Sequence, residues 1–106
     1  MNPDEMDAVF AALASEPRRR VLDVLKREPG CNVNRVCEFF DDMGRVAVMK
    51  HLDVLEGANL VLSEKHGRQR LLWFNPVPID VISIVARRYT ASPKKTKSES
   101  RPLDKR

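Results

Sequence analysis

Within residues 41–74 a turn, one helix-period stripe and two strand-like runs follow one another without interruption, and few folds accept that succession. Asp41-Asp42-Met43-Gly44 reads as a turn. Val48, Leu52 and Leu55 then recur at i, i+4 and i+7, the core stripe of an amphipathic helix. A rotation of about 100° per residue puts Val46, Met49, Lys50 and Asp53 on the opposite side, a face mostly apolar or basic and so unusual for a purely solvated helix. Ala58-Asn59 closes this helix, since Asn59 tolerates the left-handed conformation. Residues 60–65 and 69–74 read as two strands around His66-Gly67-Arg68, a hairpin with basic residues near its tip.

The flanks supply the remaining elements. Met6, Val9, Phe10 and Leu13 form one apolar stripe of a first helix. Ser15 caps a second helix with Pro17 in its first turn; Val21, Leu22, Val24 and Leu25 are its buried side, and Pro29-Gly30 ends it. Asn32 or Asn34 caps a short third helix carrying Val36, Phe39 and Phe40. Downstream, Asn75-Pro76-Val77-Pro78 breaks the second strand. A last helix over about residues 79–89 spreads Val81, Ile82, Ile84, Val85 and Tyr89 over more than one face. The order predicts a mainly α fold with a β-hairpin wing, a winged helix-turn-helix (α-α-α-α-β-β-α), in which two helices are joined by a turn of three or four residues. This domain is expected over residues 1–90, and the Ser-, Pro- and Lys-rich residues 91–106 are expected to form a basic, disordered tail.

Charge narrows the location of any anion-binding face. The 106 residues carry a net charge of +4. Residues 91–106 hold six basic and two acidic side chains, which accounts for that whole excess; residues 1–90 hold 13 of each sign. Residues 1–43 are acidic on balance, whereas residues 44–70 carry Arg45, Lys50, Lys65, Arg68 and Arg70 against Asp53, Glu56 and Glu64. The positive face therefore belongs to the central helix and the hairpin. A helix about 10–12 Å across fits the major groove of B-DNA, and the second helix of such a pair is the one that enters it. Its first turn, from Gly44 through Arg45 and Val46, directs free N–H groups and a positive dipole end toward phosphate. Arg45 can reach phosphate or guanine, Val46 and Met49 offer apolar contact to a thymine methyl, and Lys50 and His51 suit backbone phosphate. Lys65, Arg68 and Arg70 on the hairpin reach the adjacent minor groove or backbone.

These residues resemble the ArsR-type winged-helix regulators. The similarity spans roughly residues 9–89. It is strongest over Val46-Ala47-Val48-Met49-Lys50-His51-Leu52-Asp53-Val54-Leu55-Glu56-Gly57-Ala58-Asn59-Leu60-Val61, which is similar to the family's recognition-helix signature of small and apolar residues, then basic-His-Leu, then Leu-x-x-Ala-Gly-Leu-Val. Ala11-Ala12-Leu13-Ala14-Ser15-Glu16-Pro17-Arg18 and the wing segment Gly67-Arg68-Gln69-Arg70 add to it. Met49 stands where the family usually has Ser, and Asn59 replaces Gly. The resemblance implies a dimeric repressor of double-stranded DNA with a near-palindromic operator. It also implies an interface formed by the first and last helices, here Met6, Phe10 and Leu13 with Ile82, Val85 and Tyr89. Family members that sense metal carry Cys-Val-Cys where this chain has Asn32-Val33-Asn34, and Asp80 has no His near it.

No metal and no cofactor are therefore expected, and no effector is identifiable. Cys31 and Cys37, six residues apart, need not converge on a helix and are read as reduced thiols. Four glycines form no phosphate-cradling cluster and no serine has an interpretable His and Asp, so no enzyme is expected. No run approaches the ~18 apolar residues of a membrane span, and the acidic start is unlike a signal peptide; the expected compartment is the cytoplasm. The competing reading of the same fold is a winged-helix module whose central helix meets a protein partner.

Overall fold

The first three helices each begin where a short polar side chain supplies an acceptor. The computed structural model describes residues 1–90, in the order α1 (Pro3–Leu13), α2 (Glu16–Arg27), β1 (Cys31–Asn32), α3 (Val33–Cys37), α4 (Arg45–Gly57), β2 (Val61–His66), β3 (Gln69–Phe74) and α5 (Val77–Thr90). The expectation for a tail over residues 91–106 lies outside the described residues. Asn2 and Glu5 form a reciprocal capping box at α1, each backbone N–H donating to the other's side chain at 2.8 Å. Ser15 Oγ accepts from the Arg18 N–H at 3.4 Å, and Asn32 Oδ1 accepts from the Arg35 N–H at 2.9 Å, opening α2 and α3.

The end of α1 is closed from outside. Its last turn has no basic residue of its own. Arg18 Nε and Nη2 donate to the Ala12 and Ala11 carbonyls at 2.9 Å each, and Arg19 Nη1 donates to the Leu13 carbonyl at 2.7 Å. Two cations thus sit on the negative end of the helix dipole and bond its last carbonyls, of which Ala11's also accepts the Ala14 N–H.

Two segments differ from the sequence expectation. The third helix stops at Cys37, and residues 38–44 form a seven-residue connection to α4, longer than the three or four expected. Beyond Cys37 the bonds fall to i→i+3: Phe39 N–H to the Val36 carbonyl and Phe40 N–H to the Cys37 carbonyl, both 3.1 Å. The helix therefore tightens into single turns while Phe40 enters the core. The last helix starts at Val77, so Pro78 is a first-turn residue, where its missing N–H costs nothing, rather than part of a break. Its opening is set by Asn75 Oδ1, which accepts from the Val77 N–H at 3.2 Å.

α4 has the expected inner stripe, with Val48, Leu52 and Leu55 fully buried. It ends in a Schellman motif: Asn59 at φ 61° sends its N–H to the Glu56 carbonyl at 3.0 Å, and the Leu60 N–H reaches the Leu55 carbonyl at 2.9 Å. Leu55 and Leu60, both buried, supply the apolar contact of that motif. The sheet is antiparallel in the order β1-β3-β2, with Val61 opposite Phe74 and His66 opposite Gln69. His66 is thus the last strand residue, and the turn is the pair Gly67-Arg68, with Gly67 at φ 63° as a two-residue hairpin requires. The hairpin root is tied to the end of α4: the Asn75 N–H donates to the Leu60 carbonyl at 2.9 Å and Asn75 Nδ2 to the Asn59 carbonyl at 2.8 Å. One buried cluster, from Val9 and Ala12 through Val21, Leu25, Val36 and Leu72 to Ile82, joins the helices and the sheet. Among the described residues no helix is long and apolar enough to cross a membrane.

Candidate nucleic-acid interface

Burying Val48, Leu52 and Leu55 leaves the other side of α4 outside the body. Val46 is 70% exposed, and Lys50 and Asp53 are exposed beside it. Gly44 caps the helix without a side-chain hydrogen bond, so the first-turn N–H groups have no side-chain acceptor. Arg45 stands at that end and donates from Nη1 to Asn34 Oδ1. An amide fixes the guanidinium without cancelling its charge, which holds a full cation at the entrance to the outer face.

Met49 differs from the expected outward position: it is half-buried and packs against the core. Only one residue on from buried Val48, it is turned toward the wing rather than directly out. There it lines, with Asn34, Arg45, Arg68 and Arg70, a cleft of about 240 Å³ between α3, α4 and the hairpin. The apolar part of the outer face is therefore Val46 and Val54, both exposed, with the flank of Met49. His51 departs further. It is half-buried on the side of α2, and burial, followed by the positive charge of Arg18, lowers its pKa. A histidine held neutral next to an arginine is poorly suited to act as a cationic phosphate partner.

The hairpin separates two kinds of cation. Lys65 and Arg68 are exposed at its tip. Arg70, directly across the ladder from Lys65, has a side chain only 25% exposed, pairs with Glu56 and lies 3.8 Å from Asp53; Glu56 also accepts from Ser63 Oγ. Arg70 is thus committed to carboxylates of the protein itself, unlike the other wing cations. The sequence marks the segment before α4 as a turn but does not show what holds it. Arg20 grips Asp42 through Nη1 at 2.9 Å and Nη2 at 3.2 Å, lies 3.7 Å from Glu16, and stacks over Phe40 at 4.9 Å from the ring centroid. The Arg20–Asp42 hydrogen bonds hold the Asp42 carboxyl below the usual carboxylate range. The Glu16–Arg20 spacing of four was a visible signal, but contact with Asp42, 22 residues away, was not.

The expected interface of first and last helices is only partly on the surface. Phe10 is exposed and Tyr89 is 85% exposed; Met6 and Leu13 are half-buried against the core, and Val85 is intermediate. Ile82 is a correction: at 6% exposure it belongs to the protomer's own core, because that position on α5 faces inward, and Ile84 is the exposed isoleucine of the helix. Cys31 and Cys37 are free and half-buried, and burial, reinforced by Glu28, pushes the Cys31 thiol pKa up. No group of three or more His, Cys, Asp and Glu placed to hold a metal ion is found among the described residues.

Comparison with known proteins follows the same lines. No family model matches the chain. The HTH-type transcriptional regulator YuzN of Bacillus subtilis (strain 168) is 36% identical over 78 residues, which is 69% of this chain and 85% of that protein. Among solved structures, an ArsR family transcriptional regulator superposes with a TM-score of 0.72 at 28% identity, over 88% of this chain and 98% of that one. An ArsR-like transcriptional regulator from Rhodococcus sp. RHA1 gives 0.75 at 28%, over 83% and 79%. A homodimeric winged helix-turn-helix DNA-binding domain from Mycobacterium bovis shares the fold, with a TM-score of 0.63 at 17% identity over 88% and 89%.

Proposed function

The chain belongs to the ArsR-type winged helix-turn-helix transcriptional regulators, and we propose that it is a DNA-binding repressor that acts as a homodimer and without a bound metal. It is not an enzyme. The observation that carries the proposal is the outer face of α4, where Val46 and Lys50 stand clear of the body beside an amide-positioned Arg45. In this reading α4 enters the major groove of a duplex. Arg45 contacts phosphate or guanine at the helix start with the N–H groups that follow Gly44, Val46 and Met49 give apolar contacts, and Lys50 meets the backbone. Lys65 and Arg68 reach the neighbouring backbone or minor groove from the wing. His51 and Arg70, placed against the protein itself, position these elements.

Exposed Phe10, Ile84 and Tyr89, with Met6, Leu13 and Val85 beside them, provide the apolar face through which two copies join. A twofold pair sets its recognition helices about 34 Å apart, one DNA turn, and so favours a near-palindromic operator. Such a pair also doubles the phosphate contacts of a body whose first 90 residues are neutral overall. Repression follows from occupying a promoter in the cytoplasm. The test is selection of bound sites from a random oligonucleotide pool, then gel shifts of a recovered site at ~50 and ~200 mM salt. Binding should fall by orders of magnitude between the two conditions. Absence of a shift at the lower salt, or a shift indifferent to salt, would remove DNA as the partner and leave a protein-binding module.

A further inference from the structure

α4 carries two bases, Arg45 and Lys50, and two acids, Asp53 and Glu56. The bases occupy the half that begins at Gly44, and the acids occupy the second half. The Asp53 side chain is 68% exposed on the outer side of the helix. A duplex carries one negative charge per about 1.7 Å of its axis, so carboxylates on a groove-facing helix oppose its approach. Arg70 stands on β3 opposite those two acids, pairing with Glu56 and lying 3.8 Å from Asp53. Glu56 in turn accepts from Ser63 on β2, so a single carboxylate is bonded from both strands of the wing. Lys65, the cross-strand neighbour of Arg70, is exposed and enters no ion pair among the described residues.

We infer that Arg70 is an internal counter-ion and positioning residue: it neutralises Asp53 and Glu56 so that the second half of α4 does not repel the duplex, and it anchors the wing to α4. It is not a phosphate contact in its own right. This rests on the DNA-binding reading above. Arg70 is a wing arginine two residues from Arg68, and the sequence alone gives the two the same role. Their surroundings separate them, because one faces carboxylates and the other faces solvent.

The consequence is a dependence of one substitution on another. The full chain and three variants, Arg70→Met, Asp53→Asn with Glu56→Gln, and all three changes together, are titrated against a fluorescent duplex bearing a selected site. Thermal midpoints and the emission of the single tryptophan, Trp73, report folding of each. Arg70→Met should weaken binding about tenfold when the carboxylates are present and less than about threefold when both are amides. The slope of log affinity against log salt should stay near that of the unmodified chain. Arg70→Lys, which keeps the charge, should stay within about threefold of it and carries the test should the methionine variant not fold. Equal loss in the acidic and amide backgrounds, with the salt slope reduced by about 0.9, would make Arg70 a direct phosphate contact and overturn the inference alone. No binding by the unmodified chain would overturn the DNA-binding reading and this inference with it.

Discussion

Arg18-Arg19-Arg20 is the densest basic run in the described chain, whereas Arg45, Lys50, Lys65 and Arg68 are scattered over more than twenty positions. The dense run is turned inward. Arg18 and Arg19 close the end of α1, and Arg20 is shared between Asp42, Glu16 and the face of Phe40. The scattered set is turned outward, with Arg45 held only by a neutral amide and Lys50, Lys65 and Arg68 exposed. The difference teaches that linear charge density does not locate an anion-binding surface. What decides is whether the fold places carbonyls and carboxylates within reach of each cation.

The comparison breaks most readily at Arg18. Arg18→Ala removes two charge-assisted bonds at a partly buried helix end and should cost about 1–2 kcal/mol of stability, lowering the thermal midpoint by several degrees. Affinity of the remaining folded protein for a selected duplex should be nearly unchanged. A large loss of affinity with no loss of stability, measured by thermal melts beside titrations, would put Arg18 among the DNA contacts and erase the division. The outward set should behave in the opposite way. Arg45→Ala should weaken a selected site about tenfold with the melting curve unmoved, and Arg68→Ala should weaken selected and random duplexes alike while lowering the salt slope by about 0.9.

The smallest effect sharpens the inward side. Asp42 has its pKa depressed by Arg20, so the folded state favours the ionised form and the unfolded state binds the proton more readily. The stabilisation from this pair is present above the ordinary carboxylate range and is lost as pH falls through the depressed folded value. A stability profile from pH 7 downward should fall less steeply for Asp42→Asn than for the unmodified chain. Parallel profiles would show that the pair contributes nothing to the seating of the segment before α4.

Features legible in the sequence were those fixed by local geometry. Val48, Leu52 and Leu55 announce their helix because a buried stripe must repeat with its turn, and Asn59 announces the helix end because few other residues accept φ 61°. β1 was not legible, since Cys31 and Asn32 are too few to show a period and pair only because Gly30 brings them beside Leu72 and Leu71. Ile82 and Ile84 could not be told apart either: α5 is apolar on several sides, and only packing decides which of them is core. In the site, the outward position of Val46 and Lys50 followed from helical rotation. The fates of His51 and Arg70 did not, because their partners Arg18, Glu56 and Asp53 come from other elements.

Both strands of the wing leave and re-enter the body at one place, where Asn75 fastens to Leu60 and Asn59 at the foot of α4. A hairpin tied at this root, paired to β1 through Leu71 and Leu72 and bonded to Glu56 by Ser63 and Arg70, behaves as a ruler, not a swinging arm. The reach of Lys65 and Arg68 is then set by how many residue pairs separate them from that root. Removing one pair would draw the charges in by about 3.3 Å and turn them to the opposite side of the ribbon, whereas removing two would restore the side and shorten the reach by about 6.6 Å, close to two base-pair steps of a duplex. The reach of the hairpin can therefore be reset only in whole residue pairs.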